Sequence, residues 1–234
     1  MTLFVIIINK YFLEHYMKLC LLLYGISFNE NYHNYYYNKD FVIDYRESVE
    51  NYKKIIYKYF EDVGYEIDVY FCTNSSSDII HNSLIQDFDP VGFYFMNKES
   101  EESLPDYTNN VIQKNFKIKT VLELVKESTN DYDLCLLTRF DLHFNISFSQ
   151  VTFDFEKINL VSFLEKDEYI CDNFYLFPFK YLDDMIDLVD NCMGISFHYI
   201  YKRLNEISDI HMIYNQHRKI VDLDFYNIVR KEKT

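Results

Sequence analysis

Two apolar runs constrain this chain most: residues 18–26 (KLCLLLYGI) and 133–138 (DLCLLT) carry almost no polar interruption. A strand with one wet face alternates apolar and polar residues, whereas a strand covered on both faces does not. Both runs are too short to cross a bilayer. They read as central strands of a sheet with helices packed on either side. The sequence between them supplies such helices. Residues 44–63 place Tyr45, Val49, Tyr52, Ile56, Tyr59 and Val63 on one stripe, and residues 111–126 do the same with Ile118, Val121, Leu122 and Val125. Asp44 with Glu47 has the form of a capping box, and Gly64 is a suitable helix stop.

The rest of the chain continues the alternation. Residues 66–72 (EIDVYFC), 91–96, 159–163 and 169–177 read as strands. Residues 79–87, 181–191 and 197–207 read as helical, and 220–226 as a late strand or extended tail. Residues 27–41 and 97–106 read as loops. This order predicts a single α/β domain over 18–234, with a mainly parallel sheet and helices on both faces. Residues 1–17 form an N-terminal extension; their apolar run 3–8 has no basic leader and no small-residue cleavage site, which argues against a signal peptide.

Charge and cysteine content narrow the partners. A formal net charge of −14 disfavours nucleic acid and anionic membranes. Cys20, Cys72, Cys135, Cys171 and Cys192 form no C-x-x-C pair and are odd in number, so they read as buried thiols of a reducing, cytoplasmic compartment. The chain has 23 Tyr and 21 Phe but no Trp, 4 Gly and 3 Pro, the bias of an AT-rich genome. Against that background lysine is the default cation, and Arg46, Arg139, Arg203, Arg218 and Arg230 stand out as sites where a planar guanidinium is wanted.

Ligands of open α/β sheets bind beyond the carboxyl ends of the strands. Gly25 and Ser27 follow the first strand, Thr73 and Asn74 the second, and Arg139, Asp141 and His143 the fourth. If the last group is extended, a cation, a carboxylate and an imidazole share one side. That set suits Mn²⁺ bound by Asp141 and His143; the competing reading is a plain Arg139–Asp141 ion pair with His143 exposed. Arg46, in the first turn of a helix, is poorly placed for the helix dipole unless it serves a phosphate or a salt bridge to Glu50. Asp172 sits between apolar runs, where a carboxylate is either functional or part of a polar turn with Asn173. His198, His211 and His217 follow no ligand spacing and read as structural.

The run YDLCLLTRFDLHF at 132–144 resembles the strand and acidic D-x-D segment of GT-A-type glycosyltransferases, especially small uncharacterised ones of large DNA viruses and bacteria. The segments 17–27, 44–56, 64–73 and 170–185 resemble the same family in the expected order. The resemblance implies a GT-A-like domain that moves a sugar from a nucleotide-sugar donor, with a UDP-sugar favoured, to a hydroxyl of a glycan or protein. It implies donor contacts at Gly25, Arg46, Thr73 and Arg139, metal ligation at Asp141 and His143, and Asp172 as the acceptor-side base. His143 stands where the family motif has a second acid, so Arg139 is an alternative partner for the diphosphate. A nucleotidyltransferase and a non-catalytic or virion-associated binding protein are the competing classes. No P-loop or G-x-G-x-x-G occurs.

Overall fold

The computed structural model describes residues 17–34, 38–106, 109–164, 169–218 and 224–233; the expectation for the N-terminal extension lies outside them apart from Met17. In chain order the strands are β1 (Met17–Gly25), β2 (Phe28–Asn34), β3 (Lys39–Asp44), β4 (Tyr65–Asn74), β5 (Gly92–Met96), β6 (Leu134–Arg139), β7 (Leu142–Phe144), β8 (Ile158–Leu164), β9 (Tyr169–Ile170), β10 (Phe174–Pro178), β11 (Ile210–Arg218), β12 (Tyr226–Ile228) and β13 (Lys231–Glu232). The α-helices are α1 (Arg46–Tyr52), α2 (Lys58–Asp62), α3 (Asp78–Phe88), α4 (Lys98–Glu102), α5 (Asn110–Lys126), α6 (Leu182–Asn191) and α7 (Tyr201–Ile207). A π-helical turn, Lys53–Tyr57, joins α1 to α2, so the single predicted helix is one rod with a widened middle.

The main sheet has eight strands, seven of them in the order β11-β8-β10-β6-β1-β4-β5, with β9 beside β8. β5, β4, β1 and β6 run parallel, as do β8 and β11, while β10 is antiparallel to both β6 and β8. The mainly parallel single domain with helices on both faces is therefore what forms. Its central strands show why their sequences are apolar throughout. Leu19, Leu21 and Leu23 of β1 enter a core with Tyr52, Phe60 and Phe140, whereas Cys20, Leu22 and Tyr24 enter a second core with Ile118, Leu122 and Met185. Strand β6 divides in the same way, with Leu134 and Leu136 on one side and Cys135 and Leu137 on the other. Each fully buried leucine contributes about 1.5–3 kcal/mol. All five cysteines are buried free thiols, as their spacing suggested; Cys20 and Cys135 lie Sγ to Sγ at 3.1 Å on adjacent strands.

Several local expectations need correction. Residues 27–41 are mostly not a loop but a hairpin, β2 against β3, in a small sheet that also pairs β13 with β3. The segment 97–106 contains the short helix α4, capped by Asn97. The apolar run 169–177 is broken into β9 and β10, and Asp172 and Asn173 occupy the gap. Helix α1 lacks the predicted capping box; the Asp44 carboxylate instead accepts from the backbone and guanidinium of Arg46.

Two asparagines, Asn51 half-buried and Asn115 buried, fix elements that border the strand ends. Asn51 of α1 makes a two-way bond with the backbone of Phe144, donating at 2.9 Å and accepting at 2.7 Å, which holds β7 to the helix. Asn115 of α5 is wholly buried and donates to the carbonyls of Cys192, Met193 and Ile195 at 2.8–3.0 Å. It thereby pins the turn between α6 and α7 to α5. Replacing Asn115 by leucine keeps the bulk but strands those carbonyls, so urea unfolding should show a loss of roughly 1–3 kcal/mol. An unchanged midpoint would mean that the turn does not depend on this side chain.

Candidate functional site

The carboxyl ends of β1, β4 and β6 open onto one continuous cleft of three adjoining cavities. The first, about 760 Å³, is bordered by the β2 strand and the end of β4, including Tyr32, His33, Asn74 and Glu101. The second, about 160 Å³, lies over Gly25 at the end of β1. The third, about 270 Å³, is bordered by Asp172, Asn173, His198 and Tyr226. Asn110, in the first turn of α5, lines all three, and Lys114 and Arg139 line the second and third. The positive end of the α5 dipole thus faces the cleft. At Gly25 the backbone adopts φ +109°, and a Cβ there would meet nothing within 4 Å, so glycine serves the turn.

The middle cavity is lined by Lys114, Lys117, Arg139 and Arg230 and, among the described residues, by no carboxylate. In a chain of net charge −14 that is a strong local reversal of sign. Arg139 closes a two-pronged ion pair with Asp141, Nε to Oδ1 at 2.7 Å and Nη2 to Oδ2 at 2.6 Å. Arg230 approaches the same Oδ2 at 3.4 Å through Nε and Nη2, and its guanidinium stacks 4.9 Å from the centre of the Tyr32 ring. Asp141 is only 3% exposed. Burial works against its charge, but Arg139 first and Arg230 second outweigh that and hold its pKa below the ordinary carboxylate value. Lys117, 2% exposed, donates weakly to the Gln113 carbonyl at 3.5 Å. Burial lowers its pKa to about 8, against the weaker opposing pull of Cys72 and Glu101.

The third cavity holds a carboxylate and an imidazole. Asp172, 3% exposed, accepts from Lys114 and lies 3.4 Å from His198 Nε2. Nδ1 of His198 is 2.7 Å from the Ile170 carbonyl, which can only accept, so Nδ1 carries a proton and Nε2 faces the carboxylate. Burial raises the Asp172 pKa, yet Lys114 and then His198 bring the net shift below the ordinary value. The segment is held firmly. Tyr24 Oη donates to the Asp172 carbonyl at 2.9 Å, Thr138 to the Asn173 carbonyl at 3.0 Å, and Asn173 Nδ2 to Tyr226 Oη at 2.9 Å.

Of the residues singled out from sequence, Gly25, Arg139 and Asp172 come together in the cleft. Asp141 stands behind it as the anchor of two arginines. Thr73 is buried with its hydroxyl spent on Ser27, donating to Oγ at 2.9 Å and accepting from the backbone at 3.0 Å; it staples β4 to the turn after β1. Arg46 lines none of these cavities; it forks onto Asp44, not Glu50, at 2.6–2.8 Å beside Phe28. His143 is exposed on β7, because the chain turns at Phe140–Asp141 and the extended row of three does not form. The donor set does not suit a divalent ion: both Asp141 oxygens are occupied by guanidinium groups, and no group of three His, Cys, Asp or Glu among the described residues could hold one. Lys114 and Lys117 carry no expectation from the sequence, and His198, which reads as structural from its spacing, borders the third cavity beside Asp172. The first two had a signal, since Asn110, Gln113, Lys114 and Lys117 recur at three- and four-residue steps along α5.

No family model matches this chain, and no curated protein does. Among solved structures it is similar to a glycosyltransferase involved in the glycosylation of the major capsid of PBCV-1, at 11% identity and a TM-score of 0.44, covering 83% of this chain and 81% of that one. A likeness at that level decides nothing about activity, and the cleft itself has to carry the functional reading.

Lys117 gives a test of the cleft's electrostatics. A shift from 10.5 to about 8 corresponds to about 3 kcal/mol of charging cost at neutral pH. Lys117→Met should therefore stabilise the protein at pH 7 by up to that amount. The gain should shrink between about pH 8 and 10.5, where the folded wild type has shed a proton that the unfolded chain still holds. Chemical denaturation of both proteins at several pH values measures the difference; a pH-independent gap would show that Lys117 is not charged at a cost.

Proposed function

We propose that this chain is a glycosyltransferase with a GT-A-like domain, transferring a sugar from a nucleoside diphosphate sugar, a uridine donor by its sequence resemblance, to a hydroxyl of a glycan or protein. The observation that carries the reading is the adjacency of a cation-lined cavity to one built around a carboxylate, with Lys114 and Arg139 in the shared wall. Such a donor needs both. Its diphosphate requires fixed positive charge, and its reacting carbon must lie next to a group that can take the acceptor's proton.

In this assignment the first cavity takes the nucleoside, the middle one the diphosphate and the third the sugar and acceptor. The acceptor oxygen bonds to the anomeric carbon while the bond from that carbon to the diphosphate oxygen breaks. The bonding pair leaves with the nucleoside diphosphate, and the hydroxyl proton passes to Asp172. The cations meet charge that grows on the leaving group, where stabilisation accelerates the step. Asp172 in its observed pairing is a weak base, because Lys114 and His198 hold it ionised. A bound diphosphate competes for Lys114, the largest of those influences, and so raises the basicity of Asp172 only when the donor is present.

Two measurements test the reading. Nucleoside diphosphates and their sugars are screened by thermal shift, where a ligand at 100 times its dissociation constant stabilises by about 2.7 kcal/mol. No shift with any of them would remove the proposal. Asp172→Asn should keep donor binding while slowing transfer by about 10²–10⁴-fold, and Asp184→Asn, on the exposed face of α6, should leave both unchanged. Wild-type transfer by the Asp172 variant would take the base role away from it.

A further inference from the structure

We infer that the donor diphosphate is held by protein cations alone, with Arg139 and Arg230, aligned by the buried carboxylate of Asp141, standing where a divalent ion would otherwise act. This rests on the nucleotide-sugar reading of the cleft. Asp141 is the one acid at the end of β6, and it has no free oxygen to offer: Oδ1 and Oδ2 accept from Arg139 at 2.7 and 2.6 Å, and Oδ2 is shared with Arg230 at 3.4 Å. A dication there would have to displace one guanidinium and then sit beside both, adding like charge to a region already positive. Of the other acids bordering the cleft, Asp172 accepts from Lys114 and Glu101 accepts from Asn74, while Glu30 is exposed on β2 at the border of the first cavity, which does not include Arg139 or Arg230 in its wall.

The guanidiniums, by contrast, have donors to spare. Each directs Nε and Nη2 at Asp141, which leaves the Nη1 groups; for Arg139 the Nη1 partner is Asn173 Oδ1, at 3.4 Å. Planar forks of this kind match phosphate oxygens, and they carry charge at every working pH. Both line the middle cavity together with Lys114 and Lys117. Asp141 is then a positioning residue. It keeps two like charges side by side in the free protein, a state that their mutual repulsion would otherwise open.

The test is calorimetric binding of uridine diphosphate in chelator-treated buffer and again with Mn²⁺ in excess. Affinity without metal should stay within about fivefold of that with it, under 1 kcal/mol. Arg230→Met, which alters a partly exposed residue outside the core, should lower affinity by about tenfold or more under both conditions. Asp141→Asn should weaken binding without creating or removing any dependence on Mn²⁺. A loss beyond about fivefold on removing metal, or unchanged affinity in Arg230→Met, overturns the inference and leaves glycosyl transfer standing. Absence of uridine diphosphate binding in both buffers removes this inference and the donor reading together.

Discussion

The cleft depends on one buried charge. A carboxylate at 3% exposure cannot remain ionised in an apolar setting without partners, and Asp141 has two. The same residue is tied through its backbone: its carbonyl accepts from Val229 at 2.7 Å, and its neighbour Phe140 donates to the Tyr24 carbonyl at 3.3 Å. One turn therefore fixes the end of β6, the end of β1 and the C-terminal segment relative to each other. Loss of either arginine would leave part of that charge uncompensated in the interior.

The reason such a turn exists lies in the sheet beneath it. Strands β1 and β6 are covered on both faces, so their residues contribute only packing and leave no place for chemistry along their length. Polar and charged groups are confined to the strand ends, where backbone direction changes and side chains escape the two cores. The parallel strands β1, β4 and β6 end on the same edge, which gathers Gly25, Asn74 and Arg139. The antiparallel insertion of β10 beside β6 brings the start of β10, and so Asp172 and Asn173 just before it, to that edge too.

What was legible in the sequence follows from this division. Residues with two-sided burial have a local signature, so β1, β4, β6 and the long helices could be placed within a residue or two. The hairpin of β2 and β3 could not, because its residues are polar and its pairing is completed by β13, almost two hundred residues away. At the site, Arg139, Asp141 and Asp172 announced themselves as charges at the edge of apolar runs. Their partners did not. Arg230 meets Asp141 across 89 positions, and His198 is brought to Asp172 by a turn that Asn115 holds from another helix. The row of Arg139, Asp141 and His143 failed for a local reason: the strand stops at Arg139, and a turn breaks the period of two on which the row depended.

The C-terminal segment carries a consequence for how the protein comes into being. Strand β12 closes against β7, Arg230 enters the cleft, and β13 pairs with β3. During synthesis the sheet's central strands and α5 emerge long before this segment does. A chain in which residues 226–232 have not yet docked has Asp141 matched by Arg139 alone and leaves β3 with one neighbour instead of two, so a single short segment completes both the pocket's charge pairing and the small sheet.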